Sequence, residues 1–141
     1  MIMVMLFDLF HLSEDVFEII FATEQQVIVA KMLVEDMKSM GGEMGKTEMS
    51  LFANRLHEGT TAEVAEGKGP FPKKKNIKLS YNKRQFYDRI LTPMKSMGLI
   101  DYDMYKKKYM LSDKFNKIMT KIGLMWVREL QKKPAEINMH K

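Results

Sequence analysis

Cationic side chains form three groups in the second half of the chain, and their chemistry suits phosphate binding. Two groups are lysine runs, at 73–75 and 106–108, and the third consists of Arg84, Arg89 and Lys95 on one helix-like stretch. Lysine and arginine pair with phosphate oxygens, and each such contact with a nucleic acid releases a counterion. The three groups therefore indicate a polyanionic partner. The helices and strands that carry these side chains must hold them where they can contact it.

Charge is distributed unevenly along the 141 residues. Residues 1–66 contain 4 Lys and Arg against 12 Asp and Glu, a net of −8, whereas residues 67–141 contain 19 against 6, a net of +13. The asymmetry favours a basic surface built from the second half, which would attract a polyanion. Solubility, or attraction between the two halves across a dimer, would explain the same distribution.

The stretch 81–97 has the apolar period of a helix. Phe86, Ile90, Met94 and Met97 recur at spacings of four, four and three, so we expect them to face a core. The opposite face is polar and consists of Tyr81, Arg84, Gln85, Asp88, Thr92 and Lys95. Side chains of these types can hydrogen-bond base edges or phosphates in a major groove, and Arg84 and Gln85 are the best suited.

The boundaries of this helix are indicated by its flanking residues. Ser80 is the expected N-cap, and Gly98 supplies the left-handed residue that ends a helix. Pro93 lies inside the pattern, where it removes a backbone hydrogen bond. We therefore expect a kink there, or the start of a final short segment.

After Gly98 the apolar period changes from 3.6 to 2, which predicts a hairpin over Ile100–Leu111 with the 106–108 lysines at its tip. The tip lysines are placed to contact phosphates, and the alternative is a solvated edge that prevents aggregation. Asp101 and Asp103 alternate on one strand. We expect them to point away from a duplex, because phosphates would repel their carboxylates.

The remaining elements are predicted to be helices with recognisable ends. Ser13 would cap a short helix, Thr23 with Gln26 forms a capping box for a longer one that ends at 41–42, and Thr47 would cap a helix over 48–58. The apolar stripes expected on the longer helix and the next consist of Val29, Met32, Leu33, Met37, Met40, Leu51, Phe52 and Leu56. Residues 59–79 are expected to be a loop, because glycines and prolines interrupt any period.

The two ends of the chain are expected to form helical extensions. Ser112 would cap a last helix that stops near Pro134, with a long apolar stripe suited to a partner subunit. The apolar opening of the chain lacks a basic region and is soon followed by acidic residues, so it is expected to be neither a signal peptide nor a membrane span. Residues 1–22 are instead expected to be a helical arm that covers an apolar surface, and a second copy of the chain is a candidate for carrying that surface.

Composition and motifs give little support for an enzyme or a cofactor site. The chain has no cysteine, which excludes disulfides and thiolate metal sites and suits a reducing compartment such as the cytoplasm. Its histidines lack metal-ligand spacing. The sequence MGGEMGKT at 40–47 resembles a P-loop except at its first residue, but a helical pattern precedes it where a P-loop needs a strand. A glycine helix stop followed by a threonine cap explains the same residues, and neither catalysis nor a cofactor is expected.

The order helix, helix, helix, hairpin, helix resembles winged helix-turn-helix transcriptional regulators, particularly MarR-like and archaeal members. The likeness covers Phe21–Trp126 and is carried by FATEQQVIVAKMLVEDM, KTEMSLFANRL and above all RILTPMKSMGLI with the following hairpin and LSDKF. It implies an α+β, mostly helical fold with a recognition helix at 81–97, a wing at 100–111 and terminal helices that form a homodimer. The chain departs from this family at 59–79, an insertion between the second and third helices.

This resemblance and the charge pattern together predict a sequence-specific double-stranded DNA-binding protein. We expect an N-terminal arm at 1–22, a winged-helix core at 23–111 with the insertion, and a C-terminal helix and tail at 112–141. The candidate DNA contacts are Lys73, Lys74, Lys75, Tyr81, Asn82, Lys83, Arg84, Gln85, Arg89, Lys95, Lys106, Lys107 and Lys108. The alternative is a winged-helix module for protein assembly that does not bind DNA.

Overall fold

The computed structural model describes residues 7–66, 70–71 and 73–135. The protein is α+β and mostly helical, as the sequence predicts. A 3₁₀ turn at Leu9–His11 precedes α1 (Val16–Ile20), α2 (Glu24–Ser39), α3 (Lys46–Glu58), α4 (Lys83–Phe86), a π-helical turn (Tyr87–Leu91), α5 (Thr92–Ser96) and α6 (Lys114–Gln131). We call the continuous run from α4 to α5, residues 83–96, the composite helix.

Two antiparallel sheets accompany the helices. The first has the order β1 (Glu43–Gly45), β5 (Lys108–Leu111), β4 (Ile100–Asp103), and the second pairs β2 (Thr60–Glu66) with β3 (Lys73–Leu79). The hairpin predicted over Ile100–Leu111 is confirmed. Strand β1 was not predicted, because three residues are too short to display an apolar period and the strand exists only through its pairing with β5.

The prediction of a loop at 59–79 is wrong, because most of this insertion is the β2–β3 hairpin. Its ladder runs from Thr60 opposite Leu79 to Glu66 opposite Lys73. Ala62, Val64 and Ile77 pack against the core from one face of the hairpin. This apolar alternation was obscured by the glycines and prolines, which lie before β2 and between the two strands.

The core lies between α2, α3, the composite helix and β4. Its members include Val29, Leu33, Met37, Met49, Leu56, Phe86, Ile90, Met94 and Ile100, all at most 1% exposed. The core stripes predicted on α2 and α3 are therefore largely confirmed, with two exceptions. Leu51 and Met40 are exposed rather than buried, and Met49 and Ala53 occupy the core side of α3 instead.

The composite helix begins later than predicted and changes its geometry in the middle. Its N-cap is Asn82, not Ser80. The N–H of Thr92 donates to the carbonyl of Tyr87, an i to i−5 bond that defines the π turn. Pro93 then lies in the first turn of α5, the final short segment that the sequence predicts. The wider turn accommodates a residue that lacks an N–H, and it places Leu91 in the core beside Ile90.

Helix ends elsewhere confirm some expectations and correct others. The capping box of Thr23 and Gln26 is present, and the glycines after α2 and α3 have positive φ angles. Three N-caps differ from the prediction. The N-cap of α1 is Asp15 rather than Ser13, that of α3 is Gly45 rather than Thr47, and that of α6 is Asp113 rather than Ser112. The hydroxyl of Ser112 still accepts a hydrogen bond from the N–H of Lys114, at 3.1 Å.

Helix α6 leaves its apolar stripe uncovered. The exposed members of this stripe are Ile118, Ile122, Met125, Trp126 and Leu130, and Trp126 is 63% exposed. Near the other end of the chain, Phe7, Leu9, Phe10 and Leu12 are also exposed. Residues 1–6 of the predicted N-terminal arm lie outside the described residues, whereas Phe17, Ile20 and Phe21 at its other end pack into the core. None of the described helices is both long and apolar enough to cross a membrane.

Gly98, which follows the composite helix, lies close to the backbone at the start of α6. Its φ is +83°, and a Cβ at this position would lie 2.7 Å from the backbone nitrogen of Phe115. Gly59 also has a positive φ, but no atom lies within 4 Å of its Cβ position.

We predict that Gly98→Ala lowers the free energy of unfolding by at least about 2 kcal/mol, and Gly59→Ala by about 1 kcal/mol.

Urea denaturation of the two glycine variants separates the cost of backbone strain from the cost of the steric clash between a Cβ at position 98 and the backbone of α6. Gly59→Ala carries only the cost of the left-handed conformation, so the difference between the variants measures the contact with α6. Equal losses of stability would show that α6 moves away from Gly98 without cost.

Candidate nucleic-acid interface

The composite helix exposes several cationic and polar side chains because its apolar residues face the core. Phe86 packs against Phe52 of α3, with ring centroids 5.2 Å apart. Arg84 and Lys95, which were predicted on the polar face, are exposed, and Arg89 is exposed as well. The Nε of Arg84 lies 3.6 Å from Asp88, an exposed pair one turn apart that contributes little to stability and leaves the guanidinium accessible.

The first turn of the composite helix uses two predicted contact residues as caps. The side chain of Asn82 accepts the N–H of Gln85 at 2.8 Å, and the Gln85 side chain accepts the N–H of Asn82 at 3.1 Å. These reciprocal bonds satisfy donors at the helix start. Gln85 is also partly buried, and its side-chain oxygen is engaged in helix capping.

Tyr81 is not available at the surface. It is 6% exposed, and its hydroxyl has no hydrogen-bond partner among the described residues. The predicted DNA contact by Tyr81 is therefore wrong. The prediction treated this residue as part of the helix, whereas it precedes the Asn82 cap and turns inward from the end of β3.

Lys83 connects the composite helix with α3. Its Nζ lies 3.4 Å from the hydroxyl of Ser50. Helix α3 is in turn tied to α2, because Arg55 donates to the Asp36 carboxylate at 2.9 Å and stacks over the Phe52 ring. Lys83 is exposed, so its ammonium remains accessible while the contact with Ser50 fixes its position.

A cluster of two lysines and two tyrosines joins the composite helix to the β4–β5 hairpin. Tyr102 and Tyr109 are opposite each other in the ladder, with ring centroids 4.8 Å apart. The Nζ of Lys95 lies 5.8 Å from the Tyr102 centroid and 5.9 Å from the Tyr109 centroid, and the Nζ of Lys46 lies 5.4 Å from the Tyr102 centroid. Such cation–π contacts position ammonium groups without neutralising them.

The tyrosines of this cluster are partly buried. Burial raises the pKa of Tyr109, and the neighbouring Tyr87 and Tyr102 raise it further, so the phenol stays neutral. Lys46, Tyr102 and Tyr109 were not among the predicted contacts. The alternating pattern of the hairpin predicted that both tyrosines lie on strands. The sequence did not fix the length of the turn, so it could not show that the two tyrosines are opposite each other.

The turn of the β4–β5 hairpin is ordered by Asp103. Its carboxylate accepts the N–H groups of Tyr105 and Lys106, at 2.9 and 3.1 Å. Lys107 adopts the left-handed conformation, with φ at 53°. Lys106, Lys107 and Lys108 are all exposed. Lys108 lies 3.7 Å from Glu43, whereas the ammonium groups of Lys106 and Lys107 meet no carboxylate among the described residues.

Asp101 connects the hairpin to α6. Lys114 donates to its carboxylate at 2.7 Å, and this hydrogen bond lowers the pKa of Asp101. Both aspartates of β4 therefore have structural partners, one at the turn and one at the start of α6. These partners explain why acidic residues occur beside a basic tip.

The third cationic group lies on β3, which leads directly into the composite helix. Lys73, Lys74, Lys75 and Lys78 are exposed. Lys74 lies 3.7 Å from Glu63 on the paired strand, an exposed contact of small energetic value. The three basic groups thus occupy consecutive elements: β3, the composite helix and the β4–β5 hairpin.

The P-loop-like segment does not form a phosphate-binding loop. Residues 41–42 end α2, β1 follows, and α3 begins at Lys46, whose ammonium lies over Tyr102. Within the described part of the chain, no group of three His, Asp or Glu side chains is placed to hold a metal ion.

Comparison with known proteins identifies no relative: no protein family, curated protein or solved structure matches this chain.

Tyr81 provides a test of the corrected interface. A buried hydroxyl without a partner costs about 1–3 kcal/mol, which the phenylalanine variant would not incur. We therefore predict that Tyr81→Phe raises the free energy of unfolding by about 1 kcal/mol in urea denaturation. Any nucleic-acid affinity should be unchanged. Loss of affinity together with unchanged stability would instead place the hydroxyl at the interface.

Proposed function

We propose that this protein is a winged helix-turn-helix that binds double-stranded DNA sequence-specifically and regulates transcription. The observation that carries the proposal is the contact of Lys95 with Tyr102 and Tyr109. This contact joins the exposed basic side of the composite helix to the lysine-tipped hairpin. A helix and a basic hairpin held together in this way suit a major groove and the phosphate backbone beside it.

The topology supports the winged-helix assignment. Helices α2 and α3 and the composite helix follow one another, and the sheet places β1 beside the β4–β5 hairpin. In such an arrangement α3 supports the composite helix as the first helix of a helix-turn-helix supports the second. The packing of Phe52 against Phe86 and the contact of Ser50 with Lys83 provide that support.

The proposed contacts divide into two classes. Arg84, Arg89 and Lys95 lie on the composite helix, where arginine in particular can read guanine through two hydrogen bonds. Lys106 and Lys107 at the hairpin tip would contact phosphates, which adds affinity more than sequence choice. Lys46 joins the proposed phosphate contacts, because its ammonium lies over the same tyrosine as Lys95.

A homodimer forms part of the proposal. The apolar stripe of α6 and the exposed residues at 7–12 form more apolar surface than a monomer of this size needs. A second copy could cover these surfaces around a two-fold axis. Such symmetry would favour a palindromic site with half-sites about one helical turn apart.

The competing proposal is a winged-helix module for protein assembly. The uncovered stripe of α6 fits that role as well as it fits a homodimer. The two proposals differ in what they require of the basic groups, because an assembly module needs no affinity for a polyanion.

Salt dependence of duplex binding distinguishes the two proposals. We predict that the logarithm of the binding constant falls steeply with the logarithm of salt concentration for the wild-type protein. Replacing Lys106 and Lys107 by glutamine should reduce the slope by roughly 2, because two phosphate contacts are lost.

The matched control for the salt titration is Lys38→Gln. Lys38 is an exposed lysine on α2, paired with Glu35 at 3.5 Å and outside the three basic groups. We expect it to leave the slope unchanged. Absence of duplex binding at low salt would favour the assembly module. If the double glutamine variant and Lys38→Gln give the same salt slope, the hairpin tip does not contact DNA.

The oligomeric state tests the dimer. We predict a dimer by sedimentation equilibrium, and a monomer for the double variant Ile122→Glu and Trp126→Glu, because two buried carboxylates would be introduced into the interface. Lys121→Glu, on the polar side of the same helix, should remain dimeric. A wild-type monomer, or a double variant that stays dimeric, would contradict the role of α6.

A further inference from the structure

A cavity of about 590 Å³ lies between helix α2 and strand β2. Side chains of α1, α2 and β2 line it, and its volume falls within the range of small-molecule sites. The three basic groups contribute no side chain to its described lining. The cavity is therefore separate from the candidate nucleic-acid interface.

Part of the cavity lining is apolar. Val27 and Ile28 of α2 are 9% and 6% exposed, so they are core residues whose outer surface faces the cavity. Met32, Ala62 and Val64 complete the apolar lining, the last two from β2. An apolar surface of this kind favours a ligand that covers it with methylene groups or another apolar body.

Carboxylates accompany the apolar lining. They belong to Glu18, Glu24, Glu35, Asp36 and Glu63, whereas Lys31 provides the one ammonium group among the described lining residues. Lys31 is paired with Asp15, which lies outside this lining. The cavity therefore has an excess of negative charge, and its charge complements a cation.

The carboxylates of the cavity differ in how firmly they are held. Glu24 has no hydrogen bond or ion pair among the described residues, and Glu35 lies 3.5 Å from the Nζ of Lys38 in an exposed pair. Asp36, in contrast, accepts a hydrogen bond from Arg55 of α3 at 2.9 Å. Exposed pairs are weak, so Glu24 and Glu35 are available to a ligand while Asp36 keeps its structural partner.

The spacing along α2 defines the shape of a matching cation. Glu24, Ile28 and Glu35 share one side of the helix, because steps of four and seven residues are close to one and two turns. Glu24 and Glu35 are thereby about 16 Å apart along the helix axis, with apolar side chains between them. A long ligand with charged ends and an apolar middle fits this order, whereas a compact metal ion does not.

We infer that this cavity binds a linear aliphatic polyamine. Ammonium groups near the two ends of the ligand pair with Glu24 and Glu35, and the methylene groups between them cover Val27 and Ile28. Glu63 supplies a further carboxylate from β2. The inference goes beyond the proposed DNA binding and does not depend on it.

Isothermal titration calorimetry with spermidine, in the absence of DNA, tests the inference. The full-length protein should bind one equivalent. The double variant Glu24→Gln and Glu35→Gln should bind at least about tenfold more weakly, which corresponds to about 1.4 kcal/mol. Both side chains are exposed, so circular dichroism of the variant should match that of the wild-type protein.

The matched control is the double variant Glu48→Gln and Glu58→Gln. These exposed residues of α3 lie outside the described lining of the cavity, and their replacement changes the net charge by the same amount. At physiological ionic strength, where salt screens distant charges, the control should change the affinity by less than about twofold. Equal losses in the two double variants would show unspecific attraction and overturn the inference.

Hexaamminecobalt(III) tests the contribution of the apolar lining. This compact trication has the charge of spermidine but no methylene groups, so it should bind at least about tenfold more weakly. Equal affinities for the two trications, or no binding of spermidine, would overturn the inference. If spermidine does not bind and the Glu24→Gln, Glu35→Gln variant is monomeric by sedimentation equilibrium where the wild-type protein is dimeric, a second copy occupies the cavity instead. Since these titrations contain no DNA, their failure leaves the proposed function intact.

Discussion

The packing of Phe86 against Phe52 determines which side of the composite helix faces solvent. Both rings are buried, and the contact holds the helix against α3. Removing either ring would leave a cavity and cost about 3–5 kcal/mol. Because Phe86, Ile90 and Met94 take the inner side, Arg84, Arg89 and Lys95 remain outside. The surface proposed to contact DNA is thus a consequence of how the core is filled.

A second set of contacts connects that surface to the hairpin. Tyr102 and Tyr109 form a platform under Lys95 and Lys46, while Asp103 orders the turn and Asp101 binds Lys114 of α6. Each aspartate therefore supports the position of a basic group. The acidic residues between the lysines are compatible with a polyanionic partner because their carboxylates are already engaged.

The parts of the fold with strong local signals were predictable. The apolar spacing of Phe86, Ile90 and Met94 predicted a buried side of the composite helix, and the change of period after Gly98 predicted the hairpin. The capping box at Thr23 followed from local chemistry alone. In the candidate site, the exposure of Arg84, Lys95 and the tip lysines followed from the same two patterns.

The parts that depend on distant pairing were not predictable. β1 owes its conformation to β5, some 65 positions away in its register, and the β2–β3 ladder was hidden by the glycines and prolines between its strands. The π turn at Tyr87–Leu91 shifted the helical phase and buried Leu91. The start of the composite helix moved to Asn82, which removed Tyr81 from the surface and made Gln85 a cap. Register and packing decide such details, and neither is encoded in a local period.

Selection of bound duplexes from a random pool tests the central claim most directly, since it requires only the wild-type protein and addresses binding, sequence choice and symmetry together. The account predicts enrichment of a palindromic sequence with half-sites separated by about one helical turn. Recovery of a pool indistinguishable from the starting mixture, at salt concentrations low enough for phosphate contacts to form, would contradict it.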